Sequence, residues 1–496
     1  MEIKLEGVSG ANLLKAIEGK VGREAHTPCR RRGICGACEV KILEGEALEG
    51  AILRGPGDTL KACRSTAKSE NLKLKVRESL FSKSLKIESD FTILRELKFS
   101  RASGNSAALD IGTTTLAAIC FENKSGKILK KASALNAQAK YADNVIERIN
   151  CAGNPGKLKL MHEALADCAS SLLGEFDCAF DRLFVAANTS MLHLFCGVDP
   201  SSMGAFPYTP KFLDSMRFSA REILKTERDF EIVLLPSASA FIGADIMAGA
   251  LASDFSSAPS PALFVDIGTN GEILLNSGGG IFSASAAAGP AFEGYGLSCG
   301  MRADAGAISK VEISDTFKVK FETISGKAPS GICGSGYVDF LAQARRSGLI
   351  GESGRFCAAA PLREIERQRV FELAEGVYVS EGDIANLLKS KAAINAAISV
   401  LLEESGLEAR DVKSLYVEGG FGKNLNFKSA VECGLIPEFS ADTRFLGNTS
   451  LAGAYICALD DAAISELSEF SKQIENLDLN SSESFEDAFI DSLFLP

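Results

Sequence analysis

The feature that most constrains this 496-residue chain is a short motif that occurs twice. Residues 107–120 read AALDIGTTTLAAIC and residues 262–275 read ALFVDIGTNGEILL, so Asp-Ile-Gly-Thr begins at Asp110 and again at Asp266. In both copies an apolar run ends at the aspartate, a polar turn follows, and a second apolar run begins. This pattern predicts two buried strands joined by a hairpin turn. Two copies a domain length apart predict two related lobes.

The residue types in the two turns indicate phosphate binding. Glycine allows the backbone to approach a ligand closely, and turn N–H groups and threonine hydroxyls can bind phosphate oxygens. An aspartate beside them can hold a magnesium ion through water. We therefore predict a two-sided phosphate clamp, with two ordinary hairpins as the alternative.

Four cysteines near the start of the chain have the spacing of an iron–sulfur site. Cys29, Cys35 and Cys38 follow the pattern C-x5-C-x2-C, and Cys63 comes later in the segment LKACRS. Three thiolates in one tight loop and a fourth beyond it are the soft ligands that a 2Fe–2S cluster needs. Zinc is the alternative, but zinc sites usually combine two C-x2-C pairs, and Cys63 stands alone. The spacing resembles the adrenodoxin-like variant of the ferredoxin fold.

Charge is distributed unevenly along the chain. The net charge is −11, yet residues 1–77 carry +5 and residues 460–496 carry −9. An acidic chain is a poor nucleic-acid binder, because binding the phosphate backbone needs a basic surface. We interpret the basic N-terminal region, residues 1–77, as a docking face for an acidic protein partner. Arg30, Arg31 and Arg32 in the cysteine loop are either a solvated patch or residues that raise the potential of a cluster.

Composition excludes several other classes of protein. Fourteen cysteines behind an N-terminus without a signal-peptide pattern favour a reducing cytoplasm over a disulfide framework. No apolar run approaches the roughly 18 residues of a membrane span. Gly-Lys is nowhere followed by Ser or Thr, so a P-loop is absent, and three scattered histidines argue against a histidine metal site. Of the cysteines outside the cluster set, Cys299 lies in a glycine-rich loop and the other nine are expected to pack in the core.

The order of patterns along the chain predicts five regions. They are a cluster domain (1–77), a linker that lets it move (78–105), a first lobe (106–250), a second lobe (251–459) and an acidic, partly ordered tail (460–496). Within the first lobe, Asn188 is expected to begin a helix as its N-cap and His193 to pack in the core. Asp245 falls early in another helix, where an acid also suits the helix N-terminus.

Two later glycine-rich segments are candidates for nucleotide binding. GICGSG, from Gly331, leads into a helix whose N-terminus suits an anion. EGGFG, which contains Gly419, Gly420 and Gly422, follows a strand and lets a base or ribose pack flat against the backbone. A single such motif is weak support, but its position after the two hairpins strengthens it.

The two hairpins, the Gly-Gly-Phe-Gly turn and a closing helix resemble the acetate and sugar kinase, Hsp70 and actin superfamily (ASKHA), whose α/β fold pairs two ribonuclease-H-like lobes over ATP. Behind a ferredoxin-like β-grasp 2Fe–2S domain, the set resembles one subgroup, the ATP-dependent reductive activators of corrinoid proteins. Segments such as NVIERI, NTSMLHL, FIGADI, AAGPAFEGYGLSCG and GNTSLAGA run in family order through residues 106–457.

The resemblance implies specific roles for residues. The first phosphate turn would comprise Asp110, Gly112, Thr113 and Thr114, the second Asp266, Gly268, Thr269, Asn270 and Gly271, and the adenosine site Gly419, Gly420 and Gly422 with Gly334 and Ser335 nearby. Asp245 stands where related sugar kinases keep a general base, and would orient the water that attacks the γ-phosphate. Ser298 and Cys299 would lie on a loop that approaches the corrinoid.

The function implied by the resemblance is one-electron reduction of Co(II) to Co(I) in a corrinoid protein of a methyltransferase system. The cofactors would be a 2Fe–2S cluster and ATP with Mg²⁺, the partner would supply the corrinoid, and an upstream donor the electron. The alternatives are a small-molecule kinase with an accessory cluster, a redox-sensing nucleotide-dependent scaffold, and reduction of another acceptor. No nucleic acid or membrane partner is expected.

Two departures from the family pattern stand out. Family members usually place aspartate before the valine of the segment Asp143-Asn144-Val145, where this chain has Asn144. The larger activators also carry a domain between cluster and ATPase, often tied to dimerisation, for which the short linker leaves little room. The oligomeric state is therefore left open.

Overall fold

The structure, a computed structural model, describes residues 1–22, 25, 38–76, 90–142, 144–224, 226–365, 367–419, 425–479 and 482–496. It divides into two compact units: Met1–Leu85 with Tyr295–Cys299, and Lys86–Gly294 with Gly300–Pro496. Several predicted site residues lie outside the described residues, namely Cys29, Cys35, Arg30, Arg31, Arg32, Asp143, Gly420 and Gly422.

The first unit contains a four-stranded sheet with the order β1-β7-β2-β5 and a small sheet with the order β4-β3-β6. Its elements are β1 (Glu2–Glu6), α1 (Leu13–Val21), β2 (Glu39–Glu44), β3 (Ala47–Glu49), β4 (Ile52–Arg54), β5 (Thr59–Lys61), β6 (Ser65–Ala67) and β7 (Asn71–Val76). Strand β1 alternates between exposed and buried side chains, and its buried Ile3 and Leu5 share a core with Leu13 and Ile17 of α1. One helix over an antiparallel sheet agrees with the predicted ferredoxin-like domain.

The first half of the second unit is built on a six-stranded sheet with the order β10-β9-β8-β11-β13-β12. Its strands are β8 (Asn105–Ile111), β9 (Thr115–Glu122), β10 (Ile128–Leu135), β11 (Arg182–Ala187), β12 (Met216–Ser219) and β13 (Glu231–Leu234). Its helices are α2 (Val145–Ala152), α3 (Pro155–Gly174), α4 (Thr189–Phe195), α5 (Ala220–Leu224) and α6 (Ala244–Ala252).

The second half repeats this plan, with a sheet of order β24-β23-β14-β15-β16-β25 and two three-stranded sheets, β18-β17-β19 and β20-β21-β22. Its strands are β14 (Ala262–Ile267), β15 (Gly271–Asn276), β16 (Ile281–Ala286), β17 (Ala307–Ile313), β18 (Val319–Thr323), β19 (Gly331–Ile332), β20 (Arg363–Ile365), β21 (Gln368–Ala374), β22 (Val377–Ser380), β23 (Ser414–Glu418), β24 (Asp442–Gly447) and β25 (Ile474–Asn476). Its helices are α7 (Gly334–Arg346), α8 (Glu381–Glu404), α9 (Phe427–Glu432), α10 (Thr449–Leu459), α11 (Ala463–Ser471) and α12 (Glu483–Ser492).

The two large sheets share one topology. In each, the predicted hairpin forms an antiparallel pair, β8 with β9 and β14 with β15, and a third antiparallel strand joins at one side. Parallel strands are added on the other side, β11 beside β8 and β23 beside β14. This order, three antiparallel strands followed by parallel ones, is that of two ribonuclease-H-like lobes, which confirms the predicted fold class.

Helices α6 and α10 pack closely between the two lobes. A Cβ atom at Gly453 of α10 would lie 2.2 Å from the carbonyl oxygen of Ala248 on α6. A Cβ atom at Gly249 would lie 2.4 Å from the ring of Phe264 in β14. Because any larger residue would force these elements apart, the two glycines set the distance between the helices and the second sheet.

The described part of the predicted linker, residues 90–104, belongs to the second unit and packs against the rest of it. The backbone N–H groups of Thr92 and Leu94 donate to carbonyl oxygens of Leu446 and Ala252, at 2.8 Å and 2.9 Å. The guanidinium of Arg95 forms a two-pronged ion pair with Glu466 of α11, at 2.8 and 2.9 Å. Residues 90–104 contain no helix, and only Phe91 forms an isolated β-bridge.

Several single-residue expectations can be compared with the structure. Asn188 accepts a hydrogen bond from the Met191 N–H and begins α4. His193 is fully buried, bonds to the Thr189 carbonyl, and stacks on Phe212, as expected for a core histidine. Asn144, which replaces the usual aspartate, is the N-cap of α2. Cys120 and Cys178 lie with their sulfur atoms next to each other.

Helix α8 is the one helix among the described residues that is long and apolar enough to cross a membrane. Its most apolar stretch is 72% buried inside the protein, which is the arrangement of a core helix. Its N-terminus is closed by a reciprocal capping box between Ser380 and Asp383.

The acidic tail is folded in its described part. Strand β25 adds a parallel edge to β16, and α12 packs along α8. The ammonium group of Lys391 on α8 is buried and lies 2.5 Å and 2.8 Å from the carbonyl oxygens of Ser492 and Phe494. Burial lowers the pKa of Lys391 to about 8. If Lys391 loses its proton, the neutral amine still has two N–H groups and can donate one hydrogen bond to each carbonyl.

We predict that Lys391→Met loosens the C-terminal helix, because it leaves the Ser492 and Phe494 carbonyls without these donors. The expected cost is about 1–3 kcal/mol, so amide hydrogen exchange within residues 483–496 should accelerate roughly tenfold to a hundredfold. Lys389→Met, an exposed position on the same helix, is the matched control. Unchanged exchange in the Lys391 variant would contradict this role.

Candidate functional site

Both Asp-Ile-Gly-Thr aspartates end the first strand of their lobe and reach the same interior region. Asp110 accepts hydrogen bonds from the Asn448 side chain at 2.8 Å and from the Ser450 hydroxyl at 2.9 Å. These donors stand at the start of α10, the helix that follows the second sheet. The first phosphate turn is therefore tied to the closing helix through its aspartate.

Asp266 lies in a row of three carboxylates across the second sheet. Its β14 position pairs with Glu272 on β15 and with Glu418 on β23, so all three side chains are on one face. The corresponding neighbours of Asp110 in the first sheet are Ala117 and Ala186. Like charges directly opposite one another destabilise a sheet. The second lobe therefore carries an acidic row that the first lobe lacks.

Asp245, at the start of α6, joins this group and completes what we call the acid centre. It comprises Asp110, Asp245, Asp266, Glu272 and Glu418. Burial is the main cause that raises the pKa of each of the five acids, and neighbouring carboxylates add to it for all but Asp110. The pKa of Asp245 and the pKa of Asp266 both rise to about 7, whereas Glu272 and Glu418 have pKa values well above the usual range. Asp110, Asp245 and Asp266 keep a partly exposed edge, and Glu272 and Glu418 are buried.

Two buried oxygens, one in the acid centre and one beside it, have no hydrogen-bond partner in the described part of the chain. They are Glu418 Oε2 and Thr449 Oγ1. Both face Gly249, where a Cβ atom would lie 2.6 Å from the first and 2.7 Å from the second. Unsatisfied oxygen ligands beside several carboxylates fit a hard cation such as Mg²⁺, held partly through water. Within the described residues, no three acid, histidine or cysteine side chains already stand in direct metal-binding geometry.

The first turn is held in place by residues outside the motif. Arg148 of α2 is fully buried, and its guanidinium donates to the Thr113 carbonyl at 2.6 Å and to the Ala142 carbonyl at 3.2 Å. The Asn136 side chain donates to the Gly112 carbonyl at 2.9 Å. The Asn188 side chain reaches the Thr113 hydroxyl at 3.4 Å.

The second turn is compact. The Gly268 N–H donates to the Asn270 carbonyl at 3.1 Å, and the Asn270 side chain hydrogen-bonds to Glu272. Gly271 begins β15, and a Cβ atom there would lie 3.0 Å from Ile394 of α8. A short 3-10 helix, Pro290–Glu293, brings one more carboxylate to both turns: Glu293 accepts from the hydroxyls of Thr114, at 3.3 Å, and Thr269, at 2.5 Å.

The predicted adenosine residues are only partly described. Gly419 has φ of +90°, and a Cβ atom there would lie 2.8 Å from a carboxylate oxygen of Asp266, so the glycine turn directly adjoins the acid centre. Gly334 and Ser335 are buried at the start of α7, and the Ser335 hydroxyl donates to the Ser309 carbonyl at 3.1 Å. On the predicted corrinoid loop, Ser298 is exposed and Cys299 half-buried.

Two of the four predicted cluster ligands are described, and both suit that role. Cys38 immediately precedes β2 and Cys63 follows β5 in a 3-10 turn, so the pairing of these strands brings both thiols to one end of the sheet. Both cysteines are buried. The backbone adds to this proximity, since the Ala62 N–H donates to the Cys38 carbonyl at 3.0 Å. Two buried cysteines at one end of the sheet fit a 2Fe–2S cluster.

Comparison with known protein families accounts for almost the whole chain. Residues 105–258 match the model described as the RACo middle region, and residues 260–496 match the model of the C-terminal domain of RACo, the ASKHA domain. The chain belongs to the RACo family. Residues 1–68 match the 2Fe–2S iron–sulfur cluster binding domain. The predicted resemblance to reductive activators of corrinoid proteins, with a 2Fe–2S ferredoxin domain fused to an ASKHA domain, is confirmed.

Two curated relatives and one solved structure carry names that refer to corrinoid activation or reduction. The chain is 30% identical over 387 residues to the corrinoid activation enzyme RamQ of Eubacterium limosum, an alignment that covers 72% of this chain and 65% of RamQ, just under two thirds of its length. It is 28% identical over 419 residues to the Co(II) methylated amine-specific corrinoid protein reductase of Methanosarcina barkeri. That alignment covers 77% of this chain and 75% of the reductase. The solved structure of a reductive activator for a corrinoid, iron-sulfur protein matches with a TM-score of 0.73 and 27% identity, over 99% of this chain and 96% of that one.

Sequence reasoning did not assign Glu272, Glu418, Glu293 or Arg148 to the site. Two of these had a signal in the sequence: Glu272 directly follows the second turn and Glu418 directly precedes the glycines of EGGFG. Arg148 and Glu293 had none, because their contacts with the turns arise only from the tertiary fold.

We predict that the acid centre makes the magnesium-free, nucleotide-free protein less stable as pH rises. Because Asp245 and Asp266 have folded pKa values of about 7, above the ordinary 3.8, the folded state keeps protons that the unfolded chain has lost between these values. Stability should therefore decrease as the pH increases from about 4 to 7.

Asp245→Asn should accordingly raise the unfolding midpoint at pH 8, by the equivalent of about 1–3 kcal/mol, and change little at pH 4.5. Asp315→Asn, at an exposed position, is the control. Thermal unfolding at both pH values measures the difference. Equal shifts at pH 4.5 and pH 8 would show that the effect is not due to ionisation.

Proposed function

We propose that this chain is an ATP-dependent reductive activator of a corrinoid protein, which passes one electron from a 2Fe–2S cluster to Co(II) and restores Co(I). The single observation that supports this best is the combination, in one RACo-family chain, of paired buried cluster cysteines with two phosphate turns that converge on an acid centre. A cluster supplies one-electron transfer, and a nucleotide clamp supplies driving force.

The two turns would bind the phosphates of ATP, and Asp110 and Asp266 would hold the accompanying Mg²⁺ through water. Asp245 would orient the attacking water. With a pKa raised to about 7, Asp245 can hold or release a proton near neutral pH, which suits a general base. Gly419 would place the nucleoside beside the second turn.

ATP binding would draw the two lobes together, because each lobe contributes one turn. Asp110 is already bonded to Asn448 and Ser450 of α10, so closure on the first turn is transmitted to the helix that packs against α6. Closure would favour the complex with the corrinoid protein, and hydrolysis would reverse it.

The energetic need for ATP follows from the cobalt potential. For one electron, each tenfold change in relative binding moves a potential by about 59 mV. Removing an axial ligand that favours Co(II) by roughly 10⁴ would raise the potential by about 240 mV on that scale. In the closed complex, Ser298 and Cys299 would lie on the loop nearest the corrinoid. The partner would belong to a methyltransferase system, and an upstream donor would reduce the cluster.

Reduction of Co(II) followed by absorbance tests this proposal. The full chain, with its cluster reduced, is mixed with a purified corrinoid protein of a methyltransferase system from the same organism. Reduction should require ATP, and Asp266→Asn should slow it by about 10- to 100-fold, the usual effect of losing an outer-sphere metal partner. Cys63→Ser should abolish it, while Asp315→Asn should match the wild type. Equal rates and extents with and without ATP would refute the ATP-coupled function.

A further inference from the structure

Glu293 is a carboxylate that touches both phosphate turns at once. Its Oε2 accepts the hydroxyl of Thr114 in the first lobe at 3.3 Å, and its Oε1 accepts the hydroxyl of Thr269 in the second lobe at 2.5 Å. Its charge is also one of the causes that raise the pKa of Asp266. One side chain therefore links the two halves of the predicted clamp.

These bonds and phosphate binding exclude each other. A threonine hydroxyl has a single hydrogen to donate. While that hydrogen of Thr114 or Thr269 is given to Glu293, it is not available to a phosphate oxygen, which is the ligand expected at both turns. The negative charge of Glu293 would also repel a phosphate placed there. A nucleotide must therefore displace this carboxylate.

The backbone around Glu293 connects the carboxylate to the following loop. The short helix Pro290–Glu293 is anchored by buried Ala291 and Phe292, and at its start the Gly289 N–H donates to the Thr269 carbonyl at 2.8 Å. At its end Gly294 has φ of +82°, and a Cβ atom there would lie 2.3 Å from the Met301 carbonyl oxygen. Since Ala291 and Phe292 are held by burial, we assign any backbone movement that accompanies displacement of Glu293 to the loop from Gly294 to Met301.

We propose that Glu293 is the nucleotide-sensing residue of the clamp. In the nucleotide-free protein its carboxylate occupies the two threonine hydroxyls, and the phosphates of ATP replace it. The released side chain then frees the loop from Gly294 onward, which contains Ser298 and Cys299. Glu293 is a positioning residue in this scheme, since it acts through Thr114 and Thr269. This inference rests on the proposed nucleotide-dependent function.

The proposal predicts that weakening the bridge strengthens nucleotide binding. Glu293→Gln removes the charge and one acceptor oxygen, and Glu293→Asp keeps the charge but is too short to reach both hydroxyls. Calorimetric titration of the full chain with a non-hydrolysable ATP analogue and Mg²⁺ should give a Kd about tenfold lower for Glu293→Gln and lowered to a smaller extent for Glu293→Asp. Glu312→Gln, an exposed acid on β17, should bind as the wild type does.

Hydrogen exchange of residues 290–301 provides a second readout. It reports movement of the loop, which a binding affinity does not. In the wild type the analogue should increase exchange in this segment. In Glu293→Gln exchange should already be increased without nucleotide and change little on addition. Glu312→Gln should again follow the wild type.

The outcomes separate this inference from the function on which it rests. Wild-type protein that fails to bind the analogue refutes the proposed function itself. Wild-type binding together with unchanged or weaker binding by both Glu293 variants refutes only the sensing role. Weaker binding would also show that the carboxylate helps to hold the nucleotide. Tighter binding with unchanged exchange refutes the coupling to the loop.

Discussion

The constraint on which the rest of the structure depends is the concentration of carboxylates between the two lobes. Asp266 is in register with Glu272 and Glu418 on one face of the second sheet, and Asp110 and Asp245 approach from the first lobe. Charges of one sign in a low-dielectric interior are costly unless they are neutralised or hydrogen-bonded. The fold meets this cost with the Asn448 and Ser450 donors and with raised pKa values. The Mg²⁺ that accompanies a nucleotide would meet it more fully, which is why we place the metal of Mg–ATP there.

The close packing of α6 on α10 links the acid centre to the positions of the two lobes. Gly249 and Gly453 allow the helices and the second sheet to approach within distances that no larger residue permits. Asp245 begins α6, and the donors to Asp110 begin α10, so the acids that would respond to a cation stand at the ends of the two helices between the lobes. Neutralising the acid centre would therefore reduce the electrostatic repulsion between carboxylates where the lobes meet. We propose that this is how nucleotide binding controls the electron carried by the cluster domain.

The sequence predicted the elements whose signals are local. Hydrophobic runs broken by glycine located both hairpins, and the C-x5-C-x2-C spacing indicated the cluster domain. Contacts between residues far apart in sequence could not be predicted. Asn448 meets Asp110, and Glu293 meets Thr114, only because two lobes with the same topology face each other. The two copies of the motif also differ in a way that their similar sequences do not show. The cross-strand neighbours of Asp266 are glutamates, whereas those of Asp110 are alanines. Only the strand register of the structure identifies these neighbours.

The central claim is that nucleotide occupancy of the clamp, rather than the energy of a completed hydrolysis, permits the electron to move. A single-turnover experiment tests it most directly. Full-length protein with its cluster reduced is mixed with the Co(II) corrinoid protein, and cluster oxidation and Co(I) formation are followed by absorbance with ATP, with a non-hydrolysable ATP analogue, or with neither. We predict one Co(I) per reduced cluster with the analogue as with ATP, and no reduction without nucleotide; when excess reductant is added to re-reduce the cluster, only ATP should support repeated turnover. Reduction that proceeds with ATP but not with the analogue would contradict it.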